Sequence, residues 1–91
     1  MRYRNAFLDA AAELQQARDL FEDMASPHEG WAVIREEVDE LWDEVKKKPS
    51  IRDKAKMRAE AIQIAAMALR FAEDICEDRG EEHKGVQYDD C

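Results

Sequence analysis

Glycine and proline are scarce in this chain, and their positions divide it into three stretches that can each form one helix. The 91 residues include three glycines and two prolines. Pro27 and Gly30 separate the first two stretches, and Pro49 separates the second from the third. Because these residues are the strongest local interruptions of regular structure, the long intervals between them favour helices. The sequence therefore predicts an all-α chain.

Apolar residues recur at helical spacing within each stretch. We expect the first helix over about residues 4–24, the second from Ser26 until Pro49, and the third over about residues 51–77. The third differs from the others, because its segment 61–72, AIQIAAMALRFA, is apolar on nearly every side. A helix of that kind packs on more than one face, which makes it a central or interface helix.

Two helix starts can be read from the residues. Ser26 can cap the free amides of the second helix, Pro27 suits its first position, and Glu29 lies where a capping box needs it. Ser50, followed three residues later by Asp53, is a weaker capping signal for the third helix.

The chain has room for one small domain, which we place at residues 1–77. A domain of this length buries only roughly 60–65% of its unfolded surface, so a second copy is a natural way to add burial. We therefore expect an antiparallel bundle of three main helices, completed as a homodimer or homotetramer. Residues 78–91, DRGEEHKGVQYDDC, show no apolar periodicity and predict a polar, flexible tail.

Charge and cysteine content exclude several classes of protein. The formal charge of −8 argues against a nucleic-acid partner, which needs a concentrated excess of Lys and Arg. No apolar run approaches the roughly 20 residues that span a bilayer, and no signal peptide is recognisable. Cys76 and Cys91 are too few for a disulfide scaffold. We expect a cytoplasmic protein with reduced thiols and no membrane partner.

The stretch 36–45, EEVDELWDEV, places six carboxylates in ten residues. At about 100° per residue, the apolar stripe of this helix centres near 25° from Ile34. The stripe consists of Trp31, Ile34, Val38, Leu41, Trp42 and Val45. Three carboxylates lie opposite it and should face water: Glu36, Asp39 and Asp43. The other three lie on one flank, where they can line a groove beside the core: Glu37, Glu40 and Glu44.

The third helix carries a narrow polar stripe along an otherwise apolar rod. Its polar members are Lys56, Glu60, Gln63, Arg70 and Asp74. Two antiparallel helices that bring Glu60 near Glu37 and Glu40 would create repulsion, unless cations or protons are held between the carboxylates. Magnesium takes oxygen ligands and keeps several waters, which leaves positions for phosphates. The two helices therefore predict a divalent-ion site.

The motif EEVDE, residues 36–40, resembles the EExxE of the MazG-like nucleotide pyrophosphohydrolases, within the all-α NTP pyrophosphatase superfamily. In that family an ExxD on the next helix completes the magnesium site. The later element here is EAIQ, residues 60–63, and the 19 residues between Glu40 and Glu60 suit the family's loop length. The resemblance covers about residues 28–74. It implies a helical dimer or tetramer that converts nucleoside triphosphates into monophosphates and pyrophosphate, with Mg²⁺ as cofactor and Mn²⁺ as a substitute.

Carried across residue by residue, the resemblance makes Glu37, Glu40 and Glu60 the candidate catalytic residues and magnesium ligands. The family's final Asp is Gln63 here. An amide oxygen can still ligate magnesium or hold one of its waters, but it brings no charge. Asp74 lies about 16 Å further along the helix axis and cannot simply replace it.

Other roles follow from position alone. Lys56 and Arg70 are candidates for contacting the triphosphate of the substrate, although Arg70 could equally pair with Asp74, four residues on. Trp31 or Trp42 could stack on a base, but both lie on the predicted core stripe, so packing is the default expectation. Two alternatives to the enzyme stay open: a non-catalytic nucleotide-binding protein, and a structural helical oligomer with the same fold.

Overall fold

The structure, a computed structural model, describes residues 5–77 as three α-helices joined by short connections. Helix α1 spans Ala6–Leu20, α2 spans Pro27–Val45 and α3 spans Lys54–Cys76, with a 3-10 turn at Pro49–Ile51. No strand occurs within residues 5–77. The prediction of an all-α chain with three main helices is confirmed. The predicted tail, residues 78–91, lies outside the described residues.

The start of α2 matches the capping signal in the sequence. The Ser26 side chain accepts a hydrogen bond from the Glu29 amide at 3.1 Å, and Pro27 is the first helical residue. The Glu29 carboxylate in turn accepts from the amide of Ala25. The first of these contacts satisfies an amide that the first turn of a helix leaves without a partner, and the second ties the preceding residue to that turn.

Helix α3 begins three residues later than predicted, and its cap is a different residue. Asp53 itself is the cap, because its carboxylate accepts from the amides of Ala55 at 3.0 Å and Lys56 at 3.1 Å. Ser50 lies inside the 3-10 turn, whose start has no side-chain cap. The chain therefore turns once more after Pro49 before the helix starts.

Helix α1 ends at Leu20, four residues before the predicted end. Phe21 adopts extended backbone, so the chain leaves the helix there. Met24, which periodicity assigned to the helix, is instead a buried residue of the connection to α2. Its amide donates to the Asp74 carboxylate at 2.9 Å, which holds the connection against the end of α3.

Helix α3 is central, as its apolar character predicted, and contacts both other helices. Arg58 near its start pairs with Asp9 of α1 at 2.8 Å, and Asp74 near its end pairs with Arg18 of α1 at 2.9 Å. Helix α1 therefore runs parallel to α3. Helix α2 runs antiparallel to α3, because its first turn contacts Phe71 and its last turn reaches Lys56.

Helix α2 is rotated relative to the predicted orientation. The side that packs on α3 includes Gly30, Glu37 and Glu44, and it is centred about 60° away from the apolar stripe. The expectation that Trp31 and Trp42 pack in the core is wrong for this chain, since they are 55% and 58% exposed.

Two local features explain this rotation. A Cβ atom at Gly30 would lie 2.4 Å from a ring carbon of Phe71, so the absence of a side chain allows this close approach. At the other end, the buried carboxylate of Glu44 is held by the ammonium groups of Lys47 at 2.9 Å and Lys56 at 3.8 Å. Paired in this way, a carboxylate can occupy the packed side of a helix.

The core of the described chain is small. Its main cluster consists of Ala17, Met24, Ala66 and Met67, and no large side chain within residues 5–77 is completely buried. Nine large apolar residues of the described stretch are exposed instead, among them Phe7 at 75%. None of the helices within residues 5–77 combines the length and the apolar character that a bilayer crossing requires.

Candidate metal centre

Three carboxylates from two helices meet beside the core, and we call them the acidic cluster: Glu37, Glu40 and Glu60. Each offers one carboxylate oxygen, and these three oxygens lie within 4.8 Å of one another. Glu37 and Glu60 are half-buried, whereas Glu40 is exposed. The helical spacing of the sequence predicted this convergence, and the geometry agrees with it.

The antiparallel pairing of α2 and α3 produces the acidic cluster. Glu37 and Glu40 are three residues apart on α2, so they lie on the same side of that helix. Glu60 lies in the second turn of α3, which the antiparallel arrangement places beside the second half of α2. The rotation of α2 brings its carboxylate flank, rather than its tryptophans, against α3.

The electrostatics of the acidic cluster favour protons or a cation. Burial raises the pKa of Glu37 to about 7, and the charges of Glu40 and Glu60 add to the effect. Burial also raises the pKa of Glu60, followed by the charge of Glu40, while the nearby Lys56 acts in the opposite direction.

Lys56 and Glu44 lie beside the acidic cluster, where the last turn of α2 meets the first turn of α3. Lys56 lies one turn before Glu60, is exposed, and sits 3.8 Å from the Glu44 carboxylate. Glu44 is 6% exposed and is the most buried acidic residue of α2. The sequence placed it on the same flank as the acidic cluster. Glu44 pairs with Lys47 and Lys56 and is not one of the three converging carboxylates.

The carboxylates predicted to face water do so. Glu36, Asp39 and Asp43 are exposed. Asp39 pairs with Arg35 at 3.4 Å and Asp43 with Lys46 at 3.1 Å, both on the surface of α2. Ion pairs of this kind contribute little to stability. The helical angle therefore separates the two sets of carboxylates correctly.

Gln63 is directed toward α1. Its amide nitrogen donates to the Glu13 carboxylate at 2.6 Å, and its side chain lines hollows between α1 and α3. The sequence offered Gln63 as a further magnesium ligand. Its observed partner belongs to a different helix from the carboxylates of the acidic cluster, so the structure assigns it a contact between helices.

Arg70 belongs to an ion network at the far end of α3. Its guanidinium donates to the Glu22 carbonyl at 2.6 Å, lies 3.6 Å from the Asp74 carboxylate and faces the Phe21 ring at 5.8 Å. It is also ten residues from Glu60, or about 15 Å along the axis. The structure does not bring Arg70 to the acidic cluster. The sequence allowed Arg70 either to contact phosphate or to pair with Asp74, and the structure shows the pairing.

Trp31 and Trp42 face away from the acidic cluster. Trp31 is six residues from Glu37, which corresponds to about 9 Å along α2 and about 120° around it. Trp42 lies on the same outer side, three turns later. Neither ring is directed toward the acidic cluster of its own chain.

The acidic cluster offers the oxygen donors that a small, hard cation takes. Magnesium binds oxygen at about 2.1 Å, so two of its ligands are at most about 4.2 Å apart. Three ligands of one octahedral ion also include at least two neighbouring pairs, whose oxygens are about 3.0 Å apart. Carboxylate oxygens that lie up to 4.8 Å apart must therefore approach one another by as much as about 1.8 Å, which requires changes of side-chain rotamer. Three carboxylates leave the remaining octahedral positions for water or phosphate oxygens. The donor set therefore fits magnesium.

Comparison of the chain with models of protein families, with curated proteins and with solved structures finds no match in any of the three.

Proposed function

We propose that this protein is a magnesium-dependent nucleoside triphosphate pyrophosphohydrolase, which converts (d)NTP into (d)NMP and pyrophosphate. One observation carries the proposal: oxygens of Glu37, Glu40 and Glu60 lie within 4.8 Å of one another, on two helices. The resemblance of EEVDE to the EExxE motif supplies the reaction class. Manganese, which has similar oxygen preferences, is expected to substitute.

The carboxylates of the acidic cluster have two roles in this proposal, to bind magnesium and to activate water. The chemistry that magnesium supplies in such a site is neutralisation of phosphate charge and a lowered pKa for a bound water. Glu37, Glu40 and Glu60 would hold the ion. A carboxylate oxygen that does not bind it accepts a hydrogen bond from the attacking water and takes its proton, which prepares the water for in-line attack at the α-phosphate.

Lys56 is the cation placed to meet the substrate. Lys56 lies one turn before Glu60 on an exposed side of α3, and its charge partly opposes the rise in the pKa of Glu60. A flexible lysine acts as a point charge for phosphate. We propose that Lys56 contacts the triphosphate. We do not propose Gln63 as a magnesium ligand or Arg70 as a phosphate contact, because their side chains contact α1 and the connection that follows it.

A second candidate function has an observation in its favour. Because Gln63 replaces the family's final Asp and donates to Glu13, the acidic cluster has three carboxylates instead of four. A site with less negative charge binds magnesium more weakly. The alternative is therefore a non-catalytic protein that binds nucleotide, or a structural helical oligomer that ignores it.

The test is pyrophosphate release from a panel of nucleoside triphosphates with magnesium. We expect release by the native chain, and a loss of at least about 100-fold in Glu60→Gln, which keeps the shape of the side chain but removes its charge. Glu22→Gln is the matched control, because Glu22 is exposed in the connection between α1 and α2, beside Arg70 and far from the acidic cluster, and its substitution should leave the rate unchanged.

Two outcomes would count against the enzyme. If the native chain releases no pyrophosphate from any base, but calorimetry detects nucleotide binding that needs magnesium, the binding protein is the correct reading. If Glu60→Gln and Glu22→Gln are equally active, the acidic cluster is not the catalytic centre.

A further inference from the structure

A hollow of about 370 Å³ lies between the second half of α1 and the middle of α3, and we call it the Phe21 hollow. Polar and apolar side chains share its lining: Glu13, Gln16, Leu20, Phe21, Gln63 and Met67. Its volume is within the usual range for sites that hold small molecules, about 300–1,000 Å³. Such sites combine apolar walls with a few polar groups that orient the ligand, and the Phe21 hollow has both.

The Phe21 hollow lies on the same side of α3 as the acidic cluster. Gln63 and Met67 follow Glu60 by three and seven residues, which places them on one side of the helix, about 4.5 Å and about 10.5 Å further along its axis. Lys56 lies about 6 Å from Glu60 in the opposite direction. A nucleotide whose phosphates lie between the acidic cluster and Lys56 therefore directs its ribose and base toward the Phe21 hollow.

Glu13 and Gln63 form a polar pair at this hollow. The Gln63 amide nitrogen donates to the Glu13 carboxylate at 2.6 Å, and within residues 5–77 Glu13 has no other hydrogen bond or ion pair. The amide nitrogen carries a second N–H, and the carboxylate has further lone pairs on its two oxygens. The pair therefore presents one donor followed by two acceptors. An aspartate at position 63 would repel Glu13, so this arrangement depends on the glutamine that stands there.

Guanine is the base whose edge is complementary to that order. Its O6 is an acceptor, and its N1–H and 2-amino group are adjacent donors, which a carboxylate can bind in parallel. Adenine and cytosine have an acceptor nitrogen where guanine has N1–H. Uracil and thymine have a single N–H between two carbonyl oxygens. Each of these four bases would bring an acceptor against the carboxylate, which leaves buried polar groups without partners.

We propose that the Phe21 hollow receives the base of the nucleotide and that Glu13, held by Gln63, selects guanine. The inference rests on the proposed function for the position of the phosphates. Leu20 and Phe21, which are 65% and 61% exposed, offer apolar surface to the faces of a flat base. Their exposure, which adds nothing to the core, has a use in this site.

Calorimetry with nucleotides that cannot be cleaved tests the proposal. The α,β-methylene triphosphates of guanosine, adenosine, cytidine and uridine carry a methylene group in place of the oxygen between the first two phosphates. With magnesium present, we expect the guanosine analogue to bind at least about 10-fold more tightly than the other three. The inosine analogue, which lacks only the 2-amino group, should bind at least about 5-fold more weakly than the guanosine analogue.

Two variants separate base recognition from a structural role of Glu13. Glu13→Gln should weaken binding of the guanosine analogue at least about 10-fold, because an amide offers one acceptor where guanine needs two. Its affinity for the adenosine analogue should stay within about twofold, and magnesium alone should raise its melting temperature as it does in the native chain. Asp19→Asn is the matched control. Asp19 is exposed on the same helix, lines neither hollow, and its substitution removes the same charge without changing the preference for guanine.

Three results would overturn the proposal: equal affinity for the four analogues, a preference for another base, or a guanine preference that survives Glu13→Gln. Because the analogues are not hydrolysed, these results are independent of turnover. Guanine-selective binding by a chain that releases no pyrophosphate would uphold the Phe21 hollow and reject the hydrolase. Pyrophosphate release at equal rates from every base would uphold the hydrolase and reject selection by Glu13.

Discussion

Glu37 lies between two other carboxylates, and its environment gives the stability of the fold a dependence on pH. Its pKa in the folded chain is about 7, against a usual value of 4.5. Between these two values the folded chain binds more protons than the unfolded chain. The free energy of unfolding should therefore fall as pH rises from about 4.5 to about 7, and this contribution should level off above that range.

Urea unfolding across that pH range measures this effect. Glu37→Gln removes the raised group, so the variant should show a weaker fall in unfolding free energy with pH and exceed the native chain at about pH 8. Part of the fall in unfolding free energy with pH should remain in this variant, because the pKa of Glu60 is also raised. Asp43→Asn, a change on the exposed side of α2, is the control and should follow the native curve. Parallel curves for the native chain and Glu37→Gln would show that Glu37 titrates normally.

Individual helices show which local signals in the sequence are sufficient. The Ser26 cap follows from short-range spacing, which is why it was predictable. The convergence of Glu37, Glu40 and Glu60 joins two helices, and it was expected from their helical stripes together with the resemblance of EEVDE to EExxE. The rotation of α2 was not, because it depends on Gly30 meeting Phe71, 41 residues later in the chain. Periodicity identifies an apolar stripe but does not say which part of it a neighbouring helix will cover.

The same limit explains the residues whose predicted roles the geometry does not support. Gln63 and Arg70 share a helical stripe with Glu60, but α1 and the connection after it supply them with partners. No pattern within α3 reveals those partners, since they lie about 50 residues away in sequence. A polar stripe on a central helix can therefore serve several neighbours at once.

The start of α3 offers a direct comparison between two capping residues. Asp53→Ala should lower the free energy of unfolding by about 1 kcal/mol, because its carboxylate accepts from two amides of the first turn. Ser50→Ala should change it by less than about 0.5 kcal/mol, because the turn that contains Ser50 has no side-chain cap. Chemical denaturation of both variants measures the difference. Equal losses would place the helix start at Ser50.

At the scale of the whole molecule, a small core and a site of repelling carboxylates make stability sensitive to ligands. A cation that binds the folded chain and not the unfolded chain raises the melting temperature. At a magnesium concentration ten times the dissociation constant the gain is about 1.4 kcal/mol, or several degrees for a domain of this size.

A thermal melt with and without magnesium, at fixed protein concentration and ionic strength, measures that gain. The native chain should show the increase, and Glu60→Gln should lose most of it. Glu22→Gln, a change in the connection between α1 and α2, should keep it. An equal increase in all three would mean that magnesium acts somewhere other than the acidic cluster.

The outward position of the tryptophans determines what intrinsic fluorescence can report. The sequence has two tryptophans, and both are more than half exposed on the outer side of α2. Their emission in the folded chain already comes from indole rings in contact with water, so unfolding should shift it only slightly. A blue shift, by contrast, would signal that another molecule has covered α2. Tryptophan emission is thus a poor denaturation probe for this protein and a sensitive reporter of docking on that helix.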